Sequence, residues 1–252
     1  MERLEREWAI ETGQIEGLYS LDRGLTETLI EHGLDAIDLP HYASTSPHKT
    51  QRLIMRQKEV VDGLFSFVKQ EQSLSKHYIR AMHAELTREQ DHTEAVDHLG
   101  RYVQTPLLKG SWKIHPNNPA RPDGSIHEYC PPEHVETEMD NLIKWHGEHK
   151  WKKVAPEMEA AWLHHRFSQI HPFQDGNGRI ARALATLVFL QAGWLPLVVA
   201  SSQRKDYIDC LEQADSGQLM PLAIFFADKA QDRLAEALRL TSRRSPGGES
   251  SG

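Results

Sequence analysis

The sequence IHPFQDGNGRIAR, residues 170–182, decides how the chain is organised. Its Gly-Asn-Gly centre predicts a turn, because glycine adopts positive φ freely and asparagine tolerates it. Successive N–H groups of such a turn point into one concavity that attracts anions. The apolar run that begins at Ile180 predicts a helix, so the concavity lies at a helix N-terminus, where the helix dipole also favours negative charge. Phosphate is the expected ligand.

Four side chains of the same stretch carry the chemistry of a phosphate site. Arg179 and Arg182 are three residues apart on one helix face and offer guanidinium forks suited to phosphate oxygens. His171 can act as a base near neutral pH, and Asp175 is a hard oxygen ligand suited to Mg²⁺. Taken singly, each residue also fits an ordinary loop with solvated charges. Their occurrence in order within twelve residues favours a reaction site.

This stretch resembles the signature of the Fic family of nucleotidyltransferases, H-x-F-x-[D/E]-G-N-G-R-x-x-R, and residues 171–182 fill every specified position. The flanking segments are similar too: residues 162–170 resemble the helix that leads into the signature, and residues 204–226 contain short matches to the closing helices. The resemblance covers residues 100–230 or thereabouts. It implies an all-α fold, a Fic-type helical bundle with a small β-hairpin.

The resemblance also implies an activity, the transfer of AMP from ATP to a Ser, Thr or Tyr hydroxyl of a target protein, with release of pyrophosphate. His171 would remove the hydroxyl proton, and Asp175 would hold Mg²⁺ between the α- and β-phosphates. The remaining implied residues bind the phosphates: Gly176, Asn177, Gly178, Arg179 and Arg182.

Near the start of the chain, Thr12-Gly13-Gln14-Ile15-Glu16-Gly17 resembles the inhibitory motif [S/T]-x-x-x-E-[G/N] of self-restrained Fic proteins. In one subclass the inhibitory helix precedes the core, as it would here. A carboxylate in the arginine pocket would compete with the γ-phosphate for Arg182 and hold the triphosphate in a pose unsuited to attack. Glu16 is therefore expected to be a brake. The alternative is that Glu16 only ends a surface helix.

Three other functions stay open. Glu16 can instead orient a water that hydrolyses an AMP–protein bond at the same site, as the resemblance to some family members allows. The donor can also differ, because relatives transfer UMP or phosphocholine and the signature does not encode the base. Finally, the protein can be a catalytically silent nucleotide-binding regulator. His171 argues against that function, since a protein that never catalyses has no physical need for a base.

Composition indicates what kind of protein this is and which partners to expect. The chain has 252 residues, enough for a large core, and two cysteines, Cys130 and Cys210, as is typical of a reducing compartment. It begins with no signal-peptide pattern and contains no apolar stretch of membrane-spanning length, so we expect a cytoplasmic protein without a membrane partner. A formal net charge of −7 disfavours nucleic acid. A homodimer is suggested by the resemblance alone.

The rest of the chain is predicted to form helical regions around this site and a tail. Residues 1–99 predict an N-terminal helical region, with the inhibitory helix at about 5–20 broken by Gly13 and Gly17. Between residues 50 and 98 the apolar spacing is helical. Residues 100–240 predict the Fic core. Residues 241–252 are rich in Ser, Gly and Arg and predict a disordered tail.

A hairpin is expected in the segment 105–132, whose prolines and glycines exclude long helices. Two extended candidates, 111–115 and 125–129, flank a Pro-Asp-Gly turn and can pair. In the Fic family a hairpin in this place, the flap, holds an extended segment of the target protein by strand addition. A plain surface loop is the alternative.

The helix after the signature is apolar on nearly all sides from Ala183 to Phe189, which predicts a buried helix at the centre of the bundle, capped by Gly193. The pair His164 and His165 suggests zinc, but no glutamate or cysteine stands at the spacing of a known zinc motif. Hydrogen-bonded or solvated histidines are therefore expected. Tyr207 is expected to pack in the core rather than contact a nucleotide.

Overall fold

The computed structural model describes residues 1–34, 46–96, 101–121 and 124–243, with side chains up to residue 239. This part of the chain is mostly helical and contains one two-stranded sheet, which confirms the predicted fold class. In chain order the elements are α1 (Glu2–Ile15), α2 (Arg23–His32), α3 (Pro47–Lys69), α4 (Lys76–Leu86), β1 (His92–Val96), β2 (Tyr102–Pro106), α5 (Pro132–Trp151), α6 (Pro156–Ile170), α7 (Asn177–Gln191), α8 (Arg204–Asp215) and α9 (Met220–Arg243).

Helix α7 is the centre of the bundle, as its sequence predicts. Every residue from Ile180 to Leu190 is buried, and the helix packs against α6, α3, α4 and α1. Full burial of each aliphatic side chain contributes about 1.5–3 kcal/mol. Gly193, with φ of 77°, follows the last turn. Because neighbours surround this helix, its N-terminus is a rigid platform for a site.

Helix α1 lies against α3 and the central helix. The buried Trp8 indole N–H donates to the Thr186 hydroxyl of α7 at 3.0 Å. At the other end of α1, Arg204 Nε donates to the Ile15 carbonyl at 3.0 Å. These bonds fix the helix end that directly precedes Glu16.

Gly13 lies inside α1, so the expectation that it breaks this helix is wrong. A Cβ at Gly13 would lie 2.2 Å from the Tyr19 hydroxyl oxygen and 2.7 Å from Gln57 Nε2. The Tyr19 hydroxyl in turn bonds to the Ile10 carbonyl at 3.1 Å. Glycine is used here for close packing, which outweighs its low helix propensity of about 1 kcal/mol.

Gly13→Ala is expected to lower the free energy of unfolding by about 1–3 kcal/mol, because the added methyl group collides with Tyr19. Gly147 of α5 is the matched control, since a Cβ there would have nothing within 4 Å. Gly147→Ala should raise the free energy of unfolding by about 0.5–1 kcal/mol. Urea unfolding followed by circular dichroism measures both variants. Stabilisation by Gly13→Ala would contradict the packing role.

The hairpin forms earlier in the chain than expected. β1 pairs antiparallel with β2, with His92 opposite Pro106 and Val96 opposite Tyr102. The expected helix therefore does not extend through residues 92–96, because α4 ends at Leu86 and an exposed pair of strands follows.

The strands predicted at 111–115 and 125–129 are wrong. In the described part, Ile126 of the second segment forms an isolated bridge with Ala120, which lies outside the first segment. The Lys113 N–H instead donates to the Pro172 carbonyl at 2.8 Å, so this segment bonds to the signature loop. A main-chain donor used there is not available to a hairpin partner.

The C-terminal helix α9 packs on α6 and α8 and extends to Arg243. Residues 241–243 are therefore helical rather than part of a tail, and the rest of the expected tail, 244–252, lies outside the described residues. Across the described ranges, neither α9 nor another helix is long and apolar enough to cross a membrane.

Candidate active site

The loop between α6 and α7 is fixed at both ends. His171 ends α6 in the left-handed conformation, with φ of 48° and ψ of 56°, and Gly176 begins α7 with φ of 81°. The buried Asn177 side chain closes the loop: its amide oxygen accepts from the Phe173 N–H at 2.9 Å and its amide nitrogen donates to the Phe173 carbonyl at 2.7 Å. The side chain of Asn177 therefore braces the turn, while backbone N–H groups face outward from the helix start.

The first turn of α7 carries N–H groups that have no acceptor within the helix. Gly178 lies in this turn, and a Cβ there would be 2.5 Å from Glu16 Oε1 and 3.4 Å from Arg182 Nη1. Glycine leaves room for an oxygen at this place, whereas a larger residue would displace it. A carboxylate oxygen thus lies beside the turn where the sequence predicts phosphate.

Arg182 is buried, and its partners include Thr12 of α1 and Glu16, which follows that helix. Nη2 donates to Glu16 Oε1 at 2.7 Å and to the Thr12 carbonyl at 3.3 Å, and Nε donates to the Thr12 hydroxyl at 3.3 Å. Burial disfavours the charged guanidinium, but Glu16 and Tyr207 together outweigh burial and raise the pKa of Arg182. The two specified side chains of the inhibitory motif therefore contact the same arginine.

Arg179 has different partners. It is 1% exposed, and its Nη1 donates to Gln90 Oε1 at 2.6 Å and to the Leu86 carbonyl at 3.5 Å. Gln90 also donates to Asp175 Oδ2 at 3.4 Å, and Arg179 Nη2 lies 3.8 Å from Asp175 Oδ1. Burial lowers the pKa of Arg179, and Asp175 acts in the opposite direction. Arg179 braces the Asp175 carboxylate, while Arg182 faces α1.

Asp175 carries the carboxylate that would hold Mg²⁺. Its Oδ1 accepts from the Gly176 N–H at 2.5 Å, and its Oδ2 accepts from the Thr93 hydroxyl at 3.4 Å. In the described ranges no group of three His, Cys, Asp or Glu side chains could hold a metal ion. Mg²⁺ in nucleotide sites takes one or two carboxylates and completes its shell with phosphate oxygens and water. A single half-buried carboxylate therefore fits a nucleotide-bound Mg²⁺.

His164 and His165 have separate partners, as expected of hydrogen-bonded histidines. His164 is buried, with Nε2 2.6 Å from the Tyr207 hydroxyl oxygen, and His165 Nε2 lies 2.8 Å from Asp215 Oδ1. Tyr207 is 2% exposed, in agreement with its predicted core position. Neither histidine is arranged with His171 as a zinc ligand.

One ring nitrogen of His171 is hydrogen-bonded and the other carries the lone pair. Its Nδ1–H donates to the Ser168 carbonyl at 3.3 Å, which places the ring's lone pair on Nε2. The Tyr129 ring stacks on the imidazole with centroids 3.7 Å apart and planes at 11°. Burial, assisted by the charge of Lys113, lowers the pKa of His171 to about 3. A neutral imidazole with its lone pair on Nε2 can accept a proton.

His171 is expected to stay neutral from pH 8 to pH 5. With a folded pKa of about 3, the protonated fraction at pH 5 is on the order of 1%. Proton–carbon NMR of histidine-labelled protein measures the titration, and the spectrum of His171→Gln assigns the signal. A midpoint above pH 6 would contradict the burial described here.

Several residues outside the signature build the site, and no sequence pattern marks them. Gln90 bridges Arg179 and Asp175, and Asn117 Nδ2 donates to the Phe173 carbonyl at 2.9 Å. These partners lie 56 or more residues away from the loop positions they contact. No spacing in the sequence links residues so far apart.

Comparison with known proteins shows which family model this sequence matches. Residues 73–189 match the model of the Fic/DOC family. Protein adenylyltransferase Fic of Drosophila persimilis is 33% identical over 104 residues, which cover 41% of this chain and 20% of that protein. The chain therefore matches one-fifth of the length of this curated relative.

Solved structures share the fold. A Fic-domain-containing signalling protein from Bacteroides thetaiotaomicron superimposes with a TM-score of 0.76 at 22% identity, covering 98% of this chain and 90% of that chain. A variant of IbpAFic2 in complex with adenylylated Cdc42 gives a TM-score of 0.51 at 14% identity, covering 88% and 69%. The helical fold implied by the resemblance is thus confirmed.

Proposed function

We propose that the protein transfers AMP from ATP to a Ser, Thr or Tyr hydroxyl of a target protein, because residues 73–189 match the model of the Fic/DOC family. The observation that carries the proposal is the neutral His171 imidazole, whose lone pair lies on Nε2, in the loop that leads from α6 into α7. A binding protein needs the anion site but not this base. The name of the curated relative, a protein adenylyltransferase, supports the same chemistry.

In the proposed reaction, His171 Nε2 takes the proton of the target hydroxyl while its oxygen forms a bond to the α-phosphorus of ATP. The bond from the α-phosphorus to the bridging oxygen breaks, and pyrophosphate leaves. Ser168 keeps the ring oriented through Nδ1–H. The N–H groups at the start of α7 and the Arg182 guanidinium bind phosphate oxygens. Mg²⁺ held by Asp175 would neutralise charge on the phosphates.

Glu16 is proposed to restrain this activity. Its Oε1 engages Arg182 at 2.7 Å and lies next to Gly178, the place expected for a phosphate oxygen. A hydrogen bond between charged groups contributes about 1.5–3 kcal/mol, which the nucleotide must replace before it can use the same guanidinium. Triphosphate binding in the productive pose therefore competes with Glu16.

Hydrolysis of an AMP–protein bond is a second candidate function. The Glu16 side chain is 24% exposed although Oε1 binds Arg182, so its carboxylate can also hold a water. One substitution is measured in both reactions, AMP transfer and AMP release. Glu16→Gly should raise AMP transfer if Glu16 is a brake, and should abolish AMP release from a pre-adenylylated protein if Glu16 orients water.

The donor is tested with Glu16→Gly protein and α-labelled ATP, GTP, CTP or UTP. We expect label on protein from ATP, with one pyrophosphate released for each AMP transferred. If label comes from UTP instead, the donor is UTP rather than ATP, and the proposed role of His171 is unchanged. Absence of label from all four, with ATP still bound, would contradict nucleotidyl transfer.

A further inference from the structure

His83 of α4 lies outside the signature and is fully buried beside the loop. The Gly110 N–H donates to its Nδ1 at 2.9 Å, and its Nε2 lies 2.9 Å from the Asp175 carbonyl oxygen. Because Nδ1 accepts, the neutral ring carries its proton on Nε2 and donates it to that carbonyl. One imidazole thus joins the signature loop to the segment that follows β2.

The ring also contacts the loop on both sides of Asp175. Phe173 stacks on it with centroids 3.7 Å apart and planes at 5°. Gly176 follows Asp175 with φ of 81°, and a Cβ there would lie 3.3 Å from His83 Nε2. The peptide between Asp175 and Gly176 therefore lies directly against the imidazole.

The Asp175 carboxylate depends on this peptide for its position. Its contacts with other side chains are long, 3.4 Å to Gln90, 3.4 Å to Thr93 and 3.8 Å to Arg179, while its 2.5 Å bond comes from the adjacent Gly176 N–H. If the peptide tilts, the short bond and the carboxylate move with it. An apolar ring would fill the space of His83 but would leave the Asp175 carbonyl without this donor.

We propose that His83 is a positioning residue that aims the Asp175 carboxylate at Mg²⁺ by holding the Asp175 carbonyl. The inference rests on the proposed function, since that function assigns Mg²⁺ to Asp175. The ring is suited to the task because Nδ1 accepts from the Gly110 N–H, which keeps the proton on Nε2, the nitrogen that faces the Asp175 carbonyl. Residues that orient a metal ligand in this way change metal affinity about 10- to 100-fold when replaced.

Two substitutions separate the hydrogen bonds of His83. His83→Asn can offer an acceptor near Nδ1, where Gly110 donates, but cannot reach the Asp175 carbonyl. His83→Gln can place a donor near Nε2, where Asp175 accepts. Both are made in Glu16→Gly protein, and Mn²⁺ binding to the ADP-bound protein is followed by electron paramagnetic resonance. A second readout is the Mg²⁺ concentration that gives half-maximal transfer.

We expect His83→Asn to weaken Mn²⁺ binding about tenfold and to raise the Mg²⁺ requirement by a similar factor, with metal-free ADP binding unchanged. His83→Gln should stay within about threefold of the parent. Equal Mn²⁺ affinity in all three proteins would overturn the proposal. An inactive parent that still binds Mn²⁺ would instead count against the proposed function, because the binding measurement does not need transfer.

Nitrogen-15 NMR of histidine-labelled Glu16→Gly protein tests the same inference if the His83 variants do not fold. The His83 ring should show one proton, on Nε2, and its Nε2 shift should change when Mg²⁺ is added to the ADP complex. A proton on Nδ1, or a shift that ignores Mg²⁺, would contradict a link from His83 to the metal ligand.

Discussion

Glu16→Gly is expected to raise the rate of AMP transfer about 100-fold at a fixed ATP concentration. The carboxylate removed lies 2.7 Å from Arg182 and beside Gly178, so glycine leaves both for the phosphates. A charge-assisted hydrogen bond of about 3 kcal/mol corresponds to roughly a 100-fold change. Initial rates of label incorporation from α-labelled ATP measure the effect.

Two further variants separate charge from helix damage. Glu16→Gln keeps the size of the side chain but removes its charge, so an intermediate rate is expected. Glu2→Gly makes the same substitution at the start of α1, where the Glu2 side chain is 84% exposed, and should leave the rate unchanged. If Glu16→Gly is no faster than the unsubstituted protein, Glu16 is not a brake.

His171→Ala, made in Glu16→Gly protein, is expected to lower transfer about 1,000-fold. In the proposed reaction the lone pair on Nε2 of His171 takes the hydroxyl proton, and alanine supplies no such base. The affinity for a non-hydrolysable ATP analogue should stay within about twofold, because the anion site at α7 is intact. Calorimetry measures that affinity, and label incorporation measures the rate.

The matched control for this loss is His77→Ala, since His77 is exposed on α4. It should leave both the rate and the affinity unchanged. Transfer within tenfold of the parent after His171→Ala would show that another group takes the proton. A parallel loss of ATP affinity would instead mean that His171 holds the loop in shape.

Much of the fold could be predicted from local sequence. Helix α7 is apolar on all sides and is therefore central, and Gly193 ends it. Gly13 was misread because the contact that requires glycine comes from Tyr19, which only the folded chain brings close. The hairpin was misplaced because Lys113 gives its N–H to the signature loop rather than to a strand.

The candidate site was predictable where its residues are contiguous. His171 and Asp175 belong to one signature, so the sequence identifies both. The residues that hold them in place could not be predicted. His83, for example, is 92 residues from Asp175 in sequence and bonds to its backbone carbonyl. Because every residue has a backbone carbonyl, such a bond requires no particular residue type at the accepting position.

The two arginines illustrate the same limit of local sequence. Their spacing places Arg179 and Arg182 on adjacent parts of one helix face. Their long side chains then reach opposite neighbours, Gln90 for Arg179 and Glu16 for Arg182. Helix geometry gives the starting direction of a side chain, whereas its final partner depends on what packs around it.

Intact mass shows whether the protein transfers AMP, whether His171 is needed as the base and whether Glu16 restrains the reaction. The unsubstituted protein, Glu16→Gly and Glu16→Gly with His171→Ala are incubated with ATP and Mg²⁺. We expect only Glu16→Gly to gain the mass of AMP, on its own hydroxyl groups or on an added target. No gain in any of the three proteins while ATP still binds, or an equal gain with and without His171, would contradict the account.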